Sequence, residues 1–159
     1  MAEYLFDDAD LEKMFSEIEV LLFESEIYEI KYEDKKNTEL KYAKNRLCYT
    51  RDNKPFIRAI KGEPALYCIW QKKAETEKFV PVYVGHAQKP VDRMRNHLSK
   101  KDDGTGSCLE EVQRAVGNGD DIGVTFVKIK PPYMRTAVEE WLIGKRNLSW
   151  NIRGVRSTG

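Results

Sequence analysis

The sequence predicts an α+β fold: a small three-stranded antiparallel sheet flanked by helices, carrying a mainly helical N-terminal extension. Three observations point there. Two β-prone runs, "ALYCIW" (65–70) and "FVPVYVG" (79–85), are joined by the charged connection "QKKAETEK", as in an antiparallel hairpin. Two short helical patterns and a third β-prone run, "IGVTFVKI" (122–129), come next. A last helical pattern completes the order β-β-α-α-β-α, which a sheet with helices packed on it satisfies.

Taken in order, the first element is a helix. Leu11, Met14, Phe15, Ile18, Leu21 and Leu22 recur at helical spacing, with Asp7 or Asp8 as N-cap. From Ile27 to Ile60 the pattern weakens: Tyr28, Ile30 and Tyr32 alternate as in a strand, and "RDNKP" reads as a turn. Residues 1–62 are therefore expected to form an N-terminal extension, and 63–159 the main domain, with "GEP" at 62–64 as punctuation. After the hairpin, Pro90 sits where the first turn of a helix tolerates proline, and Val91, Met94 and Leu98 form its apolar stripe. Arg93 and His97 stand one turn apart on a different face. "SCLEEVQRAVG" predicts a short helix with Ser107 as N-cap, Glu110 completing a capping box and Gly117 as the stop. Beyond Pro131-Pro132, a helix over roughly 134–145 is expected to turn Ala137, Val138, Trp141 and Leu142 inward.

At 159 residues the chain is long enough to bury a core. No apolar run approaches the ~18–20 residues that span a bilayer. The acidic start "MAEYLFDDADLEKMF" lacks the basic and apolar regions of a signal peptide. Cys48, Cys68 and Cys108 are odd in number and form no CxxC pair, which argues against a zinc cage and for a reducing, cytoplasmic setting. The net charge of +1 conceals an asymmetry: residues 1–39 hold 13 acids and 4 bases, and the remainder holds 13 acids and 23 bases. A positive main body suits a polyanion such as nucleic acid; the acidic head does not.

The predicted layout gathers a set of polar residues. Tyr67 lies on the first strand and Tyr83 on the second, with Gly85 and His86 at its end. Arg93 and His97 follow on the next helix, Glu139 on the last helix, and Asn151 just after it. This order resembles the GIY-YIG nuclease superfamily over roughly residues 64–153. "ALY" and "VYVG" stand at the two strand motifs, Arg93 comes eight residues after Gly85, and His97 one turn later. Glu139 begins an E-x-x-L-I pattern, and Asn151 lies twelve residues on. The first motif departs from Gly-Ile-Tyr in its two apolar positions, and the connection between the tyrosines is longer than in many members.

The resemblance implies a metal-dependent endonuclease acting on DNA. It makes Tyr67 the residue that activates water, helped by His97 or His86, with Tyr83 orienting water or phosphate. Arg93 would fork the scissile phosphate. Glu139, a lone carboxylate, would hold Mg²⁺ or Mn²⁺ among waters, and Asn151 would steady the site. Lys89, Arg95, Lys100 and Lys101 on one side, and Lys145, Arg146 and Arg153 on the other, are candidate nucleic-acid contacts. With no room for a large extra DNA-binding domain, the chain resembles the small restriction-type members, a defence role. Cutting both strands with one site per chain implies a homodimer. The competing expectations are a non-catalytic nucleic-acid-binding module and a protein-interaction domain that uses the acidic helix.

Overall fold

The computed structural model describes residues 1–32, 52–99 and 108–151. It is α+β, with one antiparallel sheet between two layers of helix. The sheet has four strands rather than the three expected: β1 (Tyr28–Glu29), β2 (Ala65–Lys72), β3 (Val80–Ala87) and β4 (Asp121–Lys128), in spatial order β1-β4-β2-β3. The extra strand lies where Tyr28, Ile30 and Tyr32 alternate as in a strand, but it is two residues long and its place in the main sheet was not expected. It comes from the N-terminal 62 residues and pairs antiparallel with β4, Tyr28 opposite Val124.

Strand β2 is central, hydrogen-bonded to β3 on one side and β4 on the other. That position explains why "ALYCIW" is apolar without interruption: its six residues are all buried, alternate ones entering opposite cores. Tyr67 and Ile69 face one core with Phe56, Ile60, Met94, Leu98, Val112 and Val116. Those residues belong to α2 (Lys54–Ile60), α3 (Pro90–Leu98) and α4 (Leu109–Gly117). Leu66, Cys68 and Trp70 face the other core with Phe15, Leu22, Val138 and Leu142, from α1 (Asp8–Phe23) and α5 (Arg135–Lys145). In β3 ordinary alternation puts Tyr83 and Gly85 on the Tyr67 side and Val84 on the other, while a register shift opposite Ile69/Trp70 leaves Val82 on the same side as Tyr83.

Several local expectations are met and others corrected. Asp7 caps α1, its carboxylate accepting the N–H groups of Ala9 (3.0 Å) and Asp10 (3.3 Å). The stripe on α1 is narrower than expected, since Phe15 and Leu22 are buried while Met14 (48%) and Leu21 (57%) are exposed. "RDNKP" is a helix start rather than a turn: Asn53 occupies the N-cap position of α2 and Pro55 its first turn. Cys108 occupies the N-cap position of α4, and the expected cap, Ser107, lies outside the described residues. Gly117 is the last residue of α4, as expected, and the left-handed residue beyond the C-cap Asn118 is Gly119, with φ of +89°. In α5, Val138 and Leu142 are buried and Trp141 packs on Phe15, but Ala137 is exposed.

Both outer edges of the sheet are closed by an asparagine side chain. Beyond β1, Asn53 Oδ1 accepts the Lys31 N–H (2.7 Å) and its Nδ2 donates to the Lys31 carbonyl (3.1 Å). On β3, Asn151 does the same to Val84, at 2.7 and 2.9 Å, and the Trp150 N–H donates to the Val82 carbonyl. A carboxamide presents one acceptor and one donor side by side, the same pair a strand neighbour would offer.

Helix α1 is tied to α5 by charge. Glu19 accepts from Lys145 Nζ (2.7 Å) and Arg146 Nε (2.9 Å), while Arg146 lies over the Phe23 ring and Lys145 over Trp141. Burial pushes the Glu19 pKa up, but the two basic partners outweigh it and leave it below the usual carboxylate value. A depressed carboxylate contributes stability above its unfolded pKa and loses it as pH falls through the folded pKa. Glu19→Gln is therefore expected to cost about 1 kcal/mol at pH 7. Urea denaturation at pH 7 and pH 3 checks this: the gap from the unsubstituted protein should close at the lower pH.

Candidate active site

The candidate site is built where the end of β3 meets α3 from one face of the sheet and α5 from the other. Tyr67 and Gly85 are directly opposite across the β2–β3 pair. The Tyr67 ring lies over that glycine so closely that a Cβ on Gly85 would sit 2.5 Å from Oη and 2.7 Å from Cζ. Glycine here provides room, not an unusual backbone angle.

Across that space Tyr67 Oη meets His97 Nε2 at 2.7 Å, both side chains fully buried. His97 Nδ1 faces the Cys108 N–H at 3.2 Å and its thiol at 3.3 Å. A ring nitrogen that accepts from a backbone N–H cannot itself carry the proton, so the proton sits on Nε2 and points at Tyr67. Burial, with Arg93 adding to it, drops the His97 pKa to about 3. His97 is thus a neutral hydrogen-bond donor to Tyr67 and not an acceptor of its proton. Cys108 sets the tautomer through its backbone. Its thiol is pushed far up by burial, so it is no nucleophile.

Tyr83 completes this face: its ring stacks on Tyr67 at 6.3 Å and 23° and tilts against His97 at 5.0 Å. The half-buried Arg93 guanidinium stands close enough to both tyrosine hydroxyls for its charge to favour their ionised forms. Burial raises both tyrosine pKa values and Arg93 opposes it, so both remain phenols in the resting site. Arg93 also acts on the charge of His86, His97, Cys108 and Glu139, which places it at the centre of the cluster.

His86 and Glu139 come from the other face. His86 Nε2 lies 3.5 Å from Glu139 Oε2 and 3.4 Å from Thr136 Oγ1. Of the two histidines, therefore, only His97 touches Tyr67. Burial lifts the Glu139 carboxyl to about pH 7, against the opposing pull of the His86 backbone N–H and Arg93. No cluster of three or more His, Cys, Asp or Glu forms a metal cage among the described residues. A single half-buried carboxylate short of counter-charge suits Mg²⁺ or Mn²⁺, which keeps several waters and binds through one or two carboxylates.

Asn151 does not enter the cluster; its amide is spent on Val84, and it holds β3 in place. Among the expected nucleic-acid contacts, Lys89 is exposed at the start of α3, and Arg95 pairs with Asp92 at 3.6 Å. Lys145 and Arg146 are drawn away to Glu19. Lys100, Lys101 and Arg153 lie outside the described residues, as does Cys48. One residue that sequence reading passed over belongs here: Arg135, one helical turn before Glu139, whose charge acts on His86.

Two outcomes check this geometry. Gly85→Ala is expected to displace the Tyr67 ring and to destabilise by about 1–3 kcal/mol, measured by thermal unfolding. The His97 ring resonances should show no titration between pH 5 and pH 8 in NMR, because its pKa of about 3 leaves it neutral throughout.

Comparison with protein-family models, with characterised sequences and with solved structures yields no match to this chain.

Proposed function

We propose that this protein is a divalent-metal-dependent endonuclease that hydrolyses phosphodiester bonds in DNA, resembling the GIY-YIG nucleases. The observation that carries this reading is the convergence of Tyr67, Tyr83, His97 and Glu139 around one arginine, Arg93, at the end of an edge strand. Phosphodiester hydrolysis needs a cation that grips the scissile phosphate, a group that takes a proton from water, and relief for the leaving oxygen.

In this reading Arg93 leaves the tyrosine hydroxyls to take the phosphate in a bidentate grip. Tyr67 first gives its phenol proton to solvent and acts as phenolate. It then takes a proton from the attacking water as the water oxygen adds to phosphorus, the opposite P–O bond breaks, and the leaving oxygen is protonated from solvent. His97 Nε2–H, donating to Tyr67 Oη, favours the phenolate that this requires. Tyr83 orients the water or a phosphate oxygen. Glu139 would hold the divalent cation, which would polarise the phosphate and leaving oxygen and lower the pKa of nearby hydroxyls. A restriction or defence role for a homodimer is the biological setting proposed.

One observation favours a second reading. Tyr67 is 0% exposed, which suits a packing residue in a non-catalytic nucleic-acid-binding module. Plasmid nicking separates the two. The nuclease reading expects nicking with Mg²⁺ or Mn²⁺, none with EDTA, and none by Glu139→Gln. It expects Arg93→Lys to be slower by on the order of 100-fold. DNA binding without metal-dependent nicking would leave the second reading standing and the first refuted.

The raised Glu139 pKa adds a pH dependence. Below pH 7 the carboxyl must lose a proton to take a cation, so metal affinity rises with pH. Mn²⁺ affinity, followed by the loss of the free-ion EPR signal, should rise about tenfold from pH 6 to pH 8. Glu139→Gln should abolish that dependence.

A further inference from the structure

Arg135 opens α5, and two of its side-chain nitrogens, Nε and Nη1, are buried without a hydrogen-bond partner. A guanidinium in that state is unusual, because its donors are costly to remove from water unless something accepts from them. No carboxylate lies within ion-pair distance of it among the described residues. Its surroundings are those of the candidate site: it stands one turn before Glu139 on the same helix face, and its charge acts on His86 together with that of Arg93. His86 also keeps a buried ring nitrogen, Nδ1, without a partner. Three buried polar atoms thus go without a partner, two on Arg135 and one on His86, the residue on which the charges of Arg135 and Arg93 both act.

The ligand that meets this arrangement is an anion with several acceptor oxygens, placed against Arg135 while Arg93 holds its neighbour. We propose that Arg135 binds a backbone phosphate adjacent to the scissile one and so sets the register of the strand on the site. The proposal rests on the nuclease reading above. Arg135 is then a binding residue; Arg93 remains the contact to the reacting phosphate. The orphaned donors follow from that role: a group kept for a ligand is left unsatisfied in its absence.

Arg135→Met keeps the apolar stem and removes the charge. Binding of the full chain to a short labelled DNA duplex is measured in EDTA, where no cleavage occurs, over a series of salt concentrations. The slope of log affinity against log salt should fall in magnitude by about 0.9, one phosphate contact. The melting temperature should be unchanged or higher, because an unpartnered buried charge has been removed. An unchanged slope, or a lower melting temperature with an unchanged slope, overturns the assignment of Arg135 and makes it a packing residue. Wild-type nicking of plasmid DNA would survive that result, leaving the nuclease reading in place. A wild-type protein that neither binds nor nicks DNA would remove the nuclease reading itself, and the Arg135 contact with it.

Discussion

The hydrogen bond between Tyr67 Oη and His97 Nε2 is the contact on which the candidate site depends. It joins the central strand to α3 across the face of β3, and each participant has a condition attached. Gly85 must lack a side chain, or the Tyr67 ring has nowhere to lie. His97 must stay neutral, which its complete burial and the nearby Arg93 enforce. Its proton must be on Nε2, which the Cys108 N–H at the start of α4 dictates from the far side of the ring. Four elements are thereby tied to one phenol oxygen.

The electrostatics of the site rest on arginine charge among groups that resist charge. Burial raises the Tyr67, Tyr83 and Glu139 pKa values and lowers those of His86 and His97, so every one of these groups is pushed toward its neutral form. Arg93 is what the tyrosines and Glu139 have in common as an opposing charge. Such a pocket holds little negative charge of its own, and an incoming phosphate meets arginine rather than competing carboxylates. Among the acids of the N-terminal region, Glu19 is spent on Lys145 and Arg146.

Much of this was legible in the sequence, for reasons that can be named. A strand buried on both faces writes a continuous apolar run, as at 65–70, and a hairpin writes two runs around a polar connection. Tyr67, Tyr83, Arg93, His97 and Glu139 could be picked out because their order and spacing resemble a known pattern. The alternation of Tyr28, Ile30 and Tyr32 announced β1 as a strand but not its pairing with β4, which has no local sequence signal, and α2 hid behind a proline that marked its start. Arg135 carries no pattern at all. It follows Pro131, Pro132, Tyr133 and Met134, and only folding brings it beside His86. Nor could sequence show that Lys145 and Arg146, whose charge suggested phosphate, both pair with Glu19.

The asparagine at each sheet edge has a consequence for assembly. Edge strands offer free peptide groups on which a second chain can build. On β3 the Val84 N–H and carbonyl are taken by Asn151 and the Val82 carbonyl by Trp150. A strand arriving there from a second molecule would have to break three hydrogen bonds before making its own. The sheet is therefore closed to growth at Val82–Val84 unless the segment around Trp150 and Asn151 lets go, so a second copy of this chain could not extend it there by simple strand addition.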